Sequence, residues 1–212
     1  MKKIILIAVV ASVIYGFKPD LLSSLFTSGA FDEDGKPVVW LFTTNNCGAY
    51  CSDVVNLFKK RNIDYTEFDA NSEEGKERLS EVGGKNRFPL TVVGSRSVVG
   101  NDKLGIISLL AEDIGEEILT RSEQQVMSNH FYEGGEPMII MYGTSWCGFC
   151  KKMRNYLNEN SIDFTEYDAE GPGRQAYNIL EGNGYPLMYV GYRRINGADI
   201  NKLEKAMSDL DF

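Results

Sequence analysis

Two pairs of cysteines carry the chemistry that this chain could do. Cys147-Gly148-Phe149-Cys150 separates its thiols by two residues, and Cys47-Gly48-Ala49-Tyr50-Cys51 by three. A thiolate is both a nucleophile and a metal ligand. Such a pair can close and reopen a disulfide, hold half of a zinc site, or form a fixed structural bridge. A structural zinc site needs four ligands. Here the two pairs lie about 100 residues apart, and His130 is the sole histidine. Reversible dithiol–disulfide exchange is the chemistry expected of the second pair. In that reaction Cys147 attacks a substrate disulfide as the thiolate, and Cys150 resolves the mixed disulfide. Reduction and oxidation use the same steps, and the reduction potential sets the direction.

Exchange requires that the first sulfur sit where a thiolate is stabilised. Cys147 follows the apolar run Met138–Tyr142 and the segment Gly143-Thr144-Ser145-Trp146. It precedes a helical pattern that places Cys150, Met153 and Leu157 on one face. A strand thus delivers the pair to a helix start, where unpaired N–H groups and the dipole favour an anion. Lys151, Lys152 and Arg154 follow and add positive charge, or form only a solvated basic face. Ser52 and Asp53 stand in that place after the first pair, so Cys47 is expected to be the weaker nucleophile. The first pair is open to three readings: a second active site, a docking or structural unit, or a metal site.

The elements around the two pairs repeat. Phe31–Pro37 returns as Phe131–Pro137, Ile63–Ala70 as Ile162–Ala169, Phe88-Pro89-Leu90 as Tyr185-Pro186-Leu187, and Gly100-Asn101-Asp102 as Gly197-Ala198-Asp199. The offset falls from 100 to 99 inside the cysteine motifs, so repeat one carries one extra residue there. A period of this length fits two small domains. The expected division is a leader at 1–27, repeat one at 28–119, a linker and second leader at 120–136, and repeat two at 137–212. Each repeat reads β-α-β-α-β-β-α. In repeat two we expect strands at 138–142, 164–167, 187–190 and 193–195. The expected helices cover 147–160, 173–181 and 199–207, with Asp199 as the last N-cap.

This order resembles the thioredoxin fold, in the compact form found in glutaredoxins. The resemblance covers about 85 residues of each repeat. It rests on the strand–C-x-x-C–helix unit, the X-Pro before the third strand, and the Gly-x-Asp at the last helix. It implies an α/β protein of two tandem thioredoxin-like domains, each a small four-stranded mixed sheet with flanking helices. Trp146-Cys147-Gly148-x-Cys150 is similar to the thioredoxin active-site segment. The family further implies that the X-Pro bonds are cis and that Pro186 faces Cys147. The backbone of Tyr185 would then receive a peptide or glutathione. The implied catalytic residues are Cys147, Cys150, Cys47 and Cys51. The implied substrate-binding residues are Trp146, Tyr185, Pro186, Phe88, Pro89, Ala198 and Asp199. No metal and no resident cofactor is implied, with glutathione an optional co-substrate. The chain departs from the family in three ways: no proline between the cysteines, no lysine just upstream of the motif, and the longer loop of repeat one. A thiolate module for copper(I) is the reading from another class.

Met1-Lys2-Lys3 followed by the uncharged run Ile4–Phe17 reads as a basic n-region and an apolar h-region. The run is short for a spanning helix. An uncleaved anchor, a cleaved signal peptide and an apolar N-terminus of a cytosolic protein are all open. We expect export, to a bacterial periplasm, with membrane contact through this segment only. The net charge of −8 disfavours nucleic acid as a partner. Proteins bearing disulfides or dithiols are the expected partners. His130 falls in the polar 120–136 segment and is expected at the surface.

Overall fold

Each repeat folds as the strand and helix signals require. A computed structural model describes residues 28–84 and 86–210; the apolar leader read at 1–27 lies outside them. In repeat one, strands β1 (Val39–Thr43), β2 (Thr66–Asp69), β3 (Leu90–Val93) and β4 (Arg96–Val99) form a sheet of order β2-β1-β3-β4. Its helices are α1 (Gly48–Arg61), α2 (Glu73–Glu81) and α3 (Lys103–Asp113). Helix α4 (Arg121–Met127) leads into repeat two. There β5 (Ile139–Gly143), β6 (Thr165–Asp168), β7 (Leu187–Val190) and β8 (Arg193–Asn196) form the order β6-β5-β7-β8. Its helices are α5 (Gly148–Glu159), α6 (Arg174–Ile179) and α7 (Ile200–Asp209). In both sheets the first two strands are parallel and the remaining pairs antiparallel. These are the two four-stranded mixed sheets expected. Among the described residues no helix is long and apolar enough to cross a membrane.

Local chemistry fixes the element ends. The carboxylates of Asp102 and Asp199 accept the backbone N–H of Gly105 and Lys202 and cap α3 and α7. Gly94 and Gly191 open the two-residue hairpin turns at φ 53° and 56°, the left-handed backbone that such turns require.

The segment 120–136 is more than a linker. Thr120 and Glu123 form a capping box that starts α4, and Glu123, Val126, Met127 and His130 are buried. His130 is a correction to the surface expectation, being fully buried. Its Nδ1 lies 3.2 Å from the Gly191 carbonyl and its Nε2 3.0 Å from the Tyr142 hydroxyl. The carbonyl only accepts, so Nδ1 carries the proton and Nε2 accepts from Tyr142. Burial, partly offset by the Gly191 bond, pushes its pKa down to about 4. Its counterpart Ala30 is also fully buried; the repeat pointed inward where the polar neighbours pointed outward.

The two repeats share a core. In repeat two, Ile139, Met141, Met188 and Val190 face α5 and α7. The opposite face, with Ile140, Tyr142, Leu187 and Tyr189, joins one apolar cluster with Val39, Leu41, Val54 and Leu110 of repeat one. Helix α3 is the bridge, packing on β3 and β4 of its own sheet and on β8 of the other. A six-residue helix such as α6 cannot cover a four-stranded face, and α3 fills the remainder. Residues 104 and 106–111 of α3 are accordingly all buried. Polar contacts surround the joint. Arg61 pairs bidentately with Glu123 at 2.7 and 2.8 Å. Arg193 meets Glu112 at 3.0 Å, Asp102 meets Arg194 at 3.3 Å, and Tyr192 bonds Glu116.

Candidate active site

The carboxyl end of β5 presents the Cys147–Cys150 pair. Cys147 is the N-cap of α5, with extended backbone (φ −73°, ψ 114°). Its Sγ accepts the backbone N–H of Cys150 at 3.0 Å. The two residues are joined as a disulfide with Cα atoms 5.2 Å apart. Cys150 is fully buried and Cys147 is 5% exposed, so an incoming group meets Cys147 first. Gly143 lets the buried sulfur pack close: a methyl group there would lie 3.3 Å from Cys150 Sγ and 3.0 Å from a Glu166 oxygen.

An aromatic lip borders the pair. Trp146 and Phe149 are each 67% exposed. The Trp146 indole N–H donates to Glu170 at 3.0 Å, and its ring meets Tyr185 edge-on at 5.8 Å. Tyr177 backs Tyr185 at 5.1 Å between ring centres and donates to the Gly184 carbonyl. The Tyr185–Pro186 and Phe88–Pro89 bonds are both cis. The Pro186 carbonyl accepts Gly197 N–H at 2.9 Å, which ties this corner to Ala198 and the capping Asp199. Cys147, Cys150, Trp146, Tyr185 and Pro186 therefore gather at one end of sheet two. Cys47, Cys51, Phe88 and Pro89 gather at the corresponding end of sheet one.

The basic cluster expected after Cys150 is smaller than the sequence suggests. Arg154 donates to Glu166 at 2.7 Å and to the Thr144 carbonyl at 2.8 Å, so its charge is neutralised locally. Lys151 and Lys152 remain exposed. Glu170, Phe149, Tyr50 and Gly143 border the two pairs without having been singled out in the sequence. An exposed indole N–H in a loop needs an acceptor, and Glu170 directly after Asp168-Ala169 was the available signal.

The first pair is built differently. Cys47 and Cys51 are also disulfide-bonded, with Cα atoms 5.4 Å apart. The extra residue puts Cys47 in helical backbone (φ −76°, ψ −25°), and its side chain accepts no capping bond. Gly48 takes φ +53° to make the longer turn. Asp53 is engaged by the Asn101 amide at 2.8 Å. Asp102, beyond its capping bond, accepts from Asn196 at 2.9 Å and pairs with Arg194. Its counterpart Asp199 pairs only with Lys202 of its own helix among the described residues.

The profile of the glutaredoxin family matches this chain twice, over residues 39–98 and 139–191. The chain belongs to the glutaredoxin family. A glutaredoxin of Pseudomonas aeruginosa is 26% identical over 74 residues, spanning 88% of that protein and 33% of this chain. Membership brings a thiol–disulfide oxidoreductase kind of function. Both matched segments include a cysteine pair and its X-Pro, so this chain is a tandem glutaredoxin-fold protein.

Proposed function

We propose that the protein is an exported thiol–disulfide oxidoreductase that acts on protein substrates through Cys147 and Cys150. The observation that carries this reading is the Cys150 N–H directed at Cys147 Sγ from the start of α5. A charge-assisted bond of that kind favours the thiolate. Exchange proceeds in balanced steps. The Cys147 thiolate attacks one sulfur of a substrate disulfide, that bond breaks, and the departing thiolate takes a proton. Cys150, deprotonated, then attacks Cys147 Sγ and releases the second substrate thiolate. Two electrons pass to the substrate, and the site returns to the dithiol with an external thiol or dithiol. Export rests on the basic and apolar run Met1–Phe17. Cys47 and Cys51 serve as a second, slower pair.

The test is reduction of a disulfide-bonded protein by purified enzyme, with and without glutathione. Turnover with a dithiol reductant is expected, and Cys147→Ser should leave only the slow residual rate of the Cys47–Cys51 pair. Turnover only with glutathione moves the protein to the glutathione-dependent reading, in which glutathione is the co-substrate. No turnover in either arm removes the oxidoreductase reading.

A further inference from the structure

We infer that the two disulfide pairs open on one shared edge, where an extended apolar polypeptide lies across both while its own cysteine reacts at Cys147. This deepens the proposed function by naming its substrate class. The register of the joint fixes the geometry. Leu90, Val99 and Asp102 mark the end of sheet one that carries Cys47, because β1 runs toward that end and Leu90 pairs with Phe42 and Val99. Leu187 and Asn196 mark the matching end of sheet two. Asp102 bonds Asn196 at 2.9 Å. At the far end Glu112 pairs with Arg193, and Arg96, opposite Val93, also pairs with Glu112. The two sheets are therefore joined end to matching end, and both cysteine pairs face the same way.

The apolar surface is concentrated there. Six large hydrophobic side chains are exposed among the described residues, and three of them, Tyr50, Trp146 and Phe149, belong to the cysteine motifs. Exposed aromatic rings beside a reactive sulfur fit a partner that brings both a disulfide and apolar side chains. The spacing selects an extended chain. From the α1 layer across sheet two to the α5 layer is on the order of 20 Å. A strand rising roughly 3.3 Å per residue covers that in about six residues. A tripeptide thiol bound at Cys147 does not reach Tyr50. A protein segment with apolar residues about six positions from its reacting cysteine does.

Two experiments test this. In the first, a peptide whose single cysteine is activated with thionitrobenzoate is added to the Cys150→Ser protein, with Cys47–Cys51 left oxidised. The Cys147 thiolate displaces thionitrobenzoate and holds the peptide as a mixed disulfide. A benzophenone side chain six residues from that cysteine, on either side, is then irradiated and the crosslinks are mapped by mass spectrometry. Crosslinks to residues 48–56 are expected; crosslinks confined to repeat two overturn the inference. Failure to form the mixed disulfide at all would instead count against the exchange reading itself. In the second, kcat/KM is measured for two disulfide peptides of equal length, one with a Leu-Phe-Leu cluster at that spacing and one with serines. The apolar peptide should be preferred, and Tyr50→Ser should cut the ratio about tenfold, as loss of one aromatic anchor does at an interface. Ile114→Ser, at the far end, serves as the control. An equal effect of both substitutions, or no preference for the apolar peptide, refutes the shared edge.

Discussion

Leu104→Ala should weaken both repeats at once, although Leu104 belongs to repeat one. Helix α3 carries Leu104, Ser108 and Glu112 along one stripe, and Glu112 meets Arg193 of repeat two. Leu104 is 2% exposed and lies in the core cluster common to both sheets. Truncating such a leucine costs about 2–5 kcal/mol. With a urea m-value of about 2 kcal/mol/M, the midpoint falls by about 1–2.5 M. The chain supplies its own probes, because Trp40 lies in sheet one and Trp146 beside the second cysteine pair, and these are its two tryptophans. Single-tryptophan proteins made with Trp40→Phe or Trp146→Phe report the repeats separately by fluorescence. A shared core requires coincident midpoints for the two probes, both lowered by Leu104→Ala. If only the Trp40 transition moves, or if the unsubstituted protein shows two midpoints, α3 does not couple the repeats.

Three further outcomes are expected. Cys150→Ser should accumulate mixed disulfides with protein partners, visible on non-reducing gels, and Cys147→Ser none; the opposite pattern reverses the roles of attacker and resolver. With the other pair replaced by serine, Cys147 should react with iodoacetamide at lower pH than Cys47. Only Cys147 receives a capping N–H, which is worth about 0.5–2 kcal/mol; the reverse order would show that this bond does not govern reactivity. His130→Phe should cost about 1–3 kcal/mol at pH 7 through the unpaired Tyr142 hydroxyl and Gly191 carbonyl. His130 is held neutral with a folded pKa near 4, against about 6.5 when unfolded. Its contribution is therefore complete above pH 6.5 and is lost as pH falls toward 4. Urea midpoints at pH 7 and pH 5 should converge between wild type and variant; parallel pH profiles contradict a buried neutral ring.

Much of the fold was legible because local signals agreed. The internal repeat, the strand periodicity, the two X-Pro steps and the Asp N-caps all pointed to one order of elements. The cysteine pairs and their helix starts were equally readable. What escaped was chemistry set across the chain. Arg154 reads as a free cation until Glu166, twelve residues on, is seen beside it. His130 reads as a linker residue until Gly191 and Tyr142 enclose it. The shared core left one trace: α3 is apolar on every side (Leu-Gly-Ile-Ile-Ser-Leu-Leu-Ala), whereas its counterpart α7 keeps its apolar residues Ile200, Leu203, Ala206 and Met207 on one face. A helix apolar all round is one buried on all sides.

That difference between α3 and α7 bears on how a duplicated chain ages. Two copies of a small fold start out interchangeable, and either could be lost or moved elsewhere. Once the last helix of the first copy became part of the wall of the second, the copies ceased to be portable. A change at Leu104 or Leu110 must now suit two sheets, while Asn201, Lys202, Glu204 and Lys205 of α7 are exposed, and a change there answers to its own repeat alone. Cutting the chain near residue 120 would leave Tyr142, Leu187 and Tyr189 without α3 over them. The second copy, although it holds the better-formed thiol pair, would then be the one to aggregate.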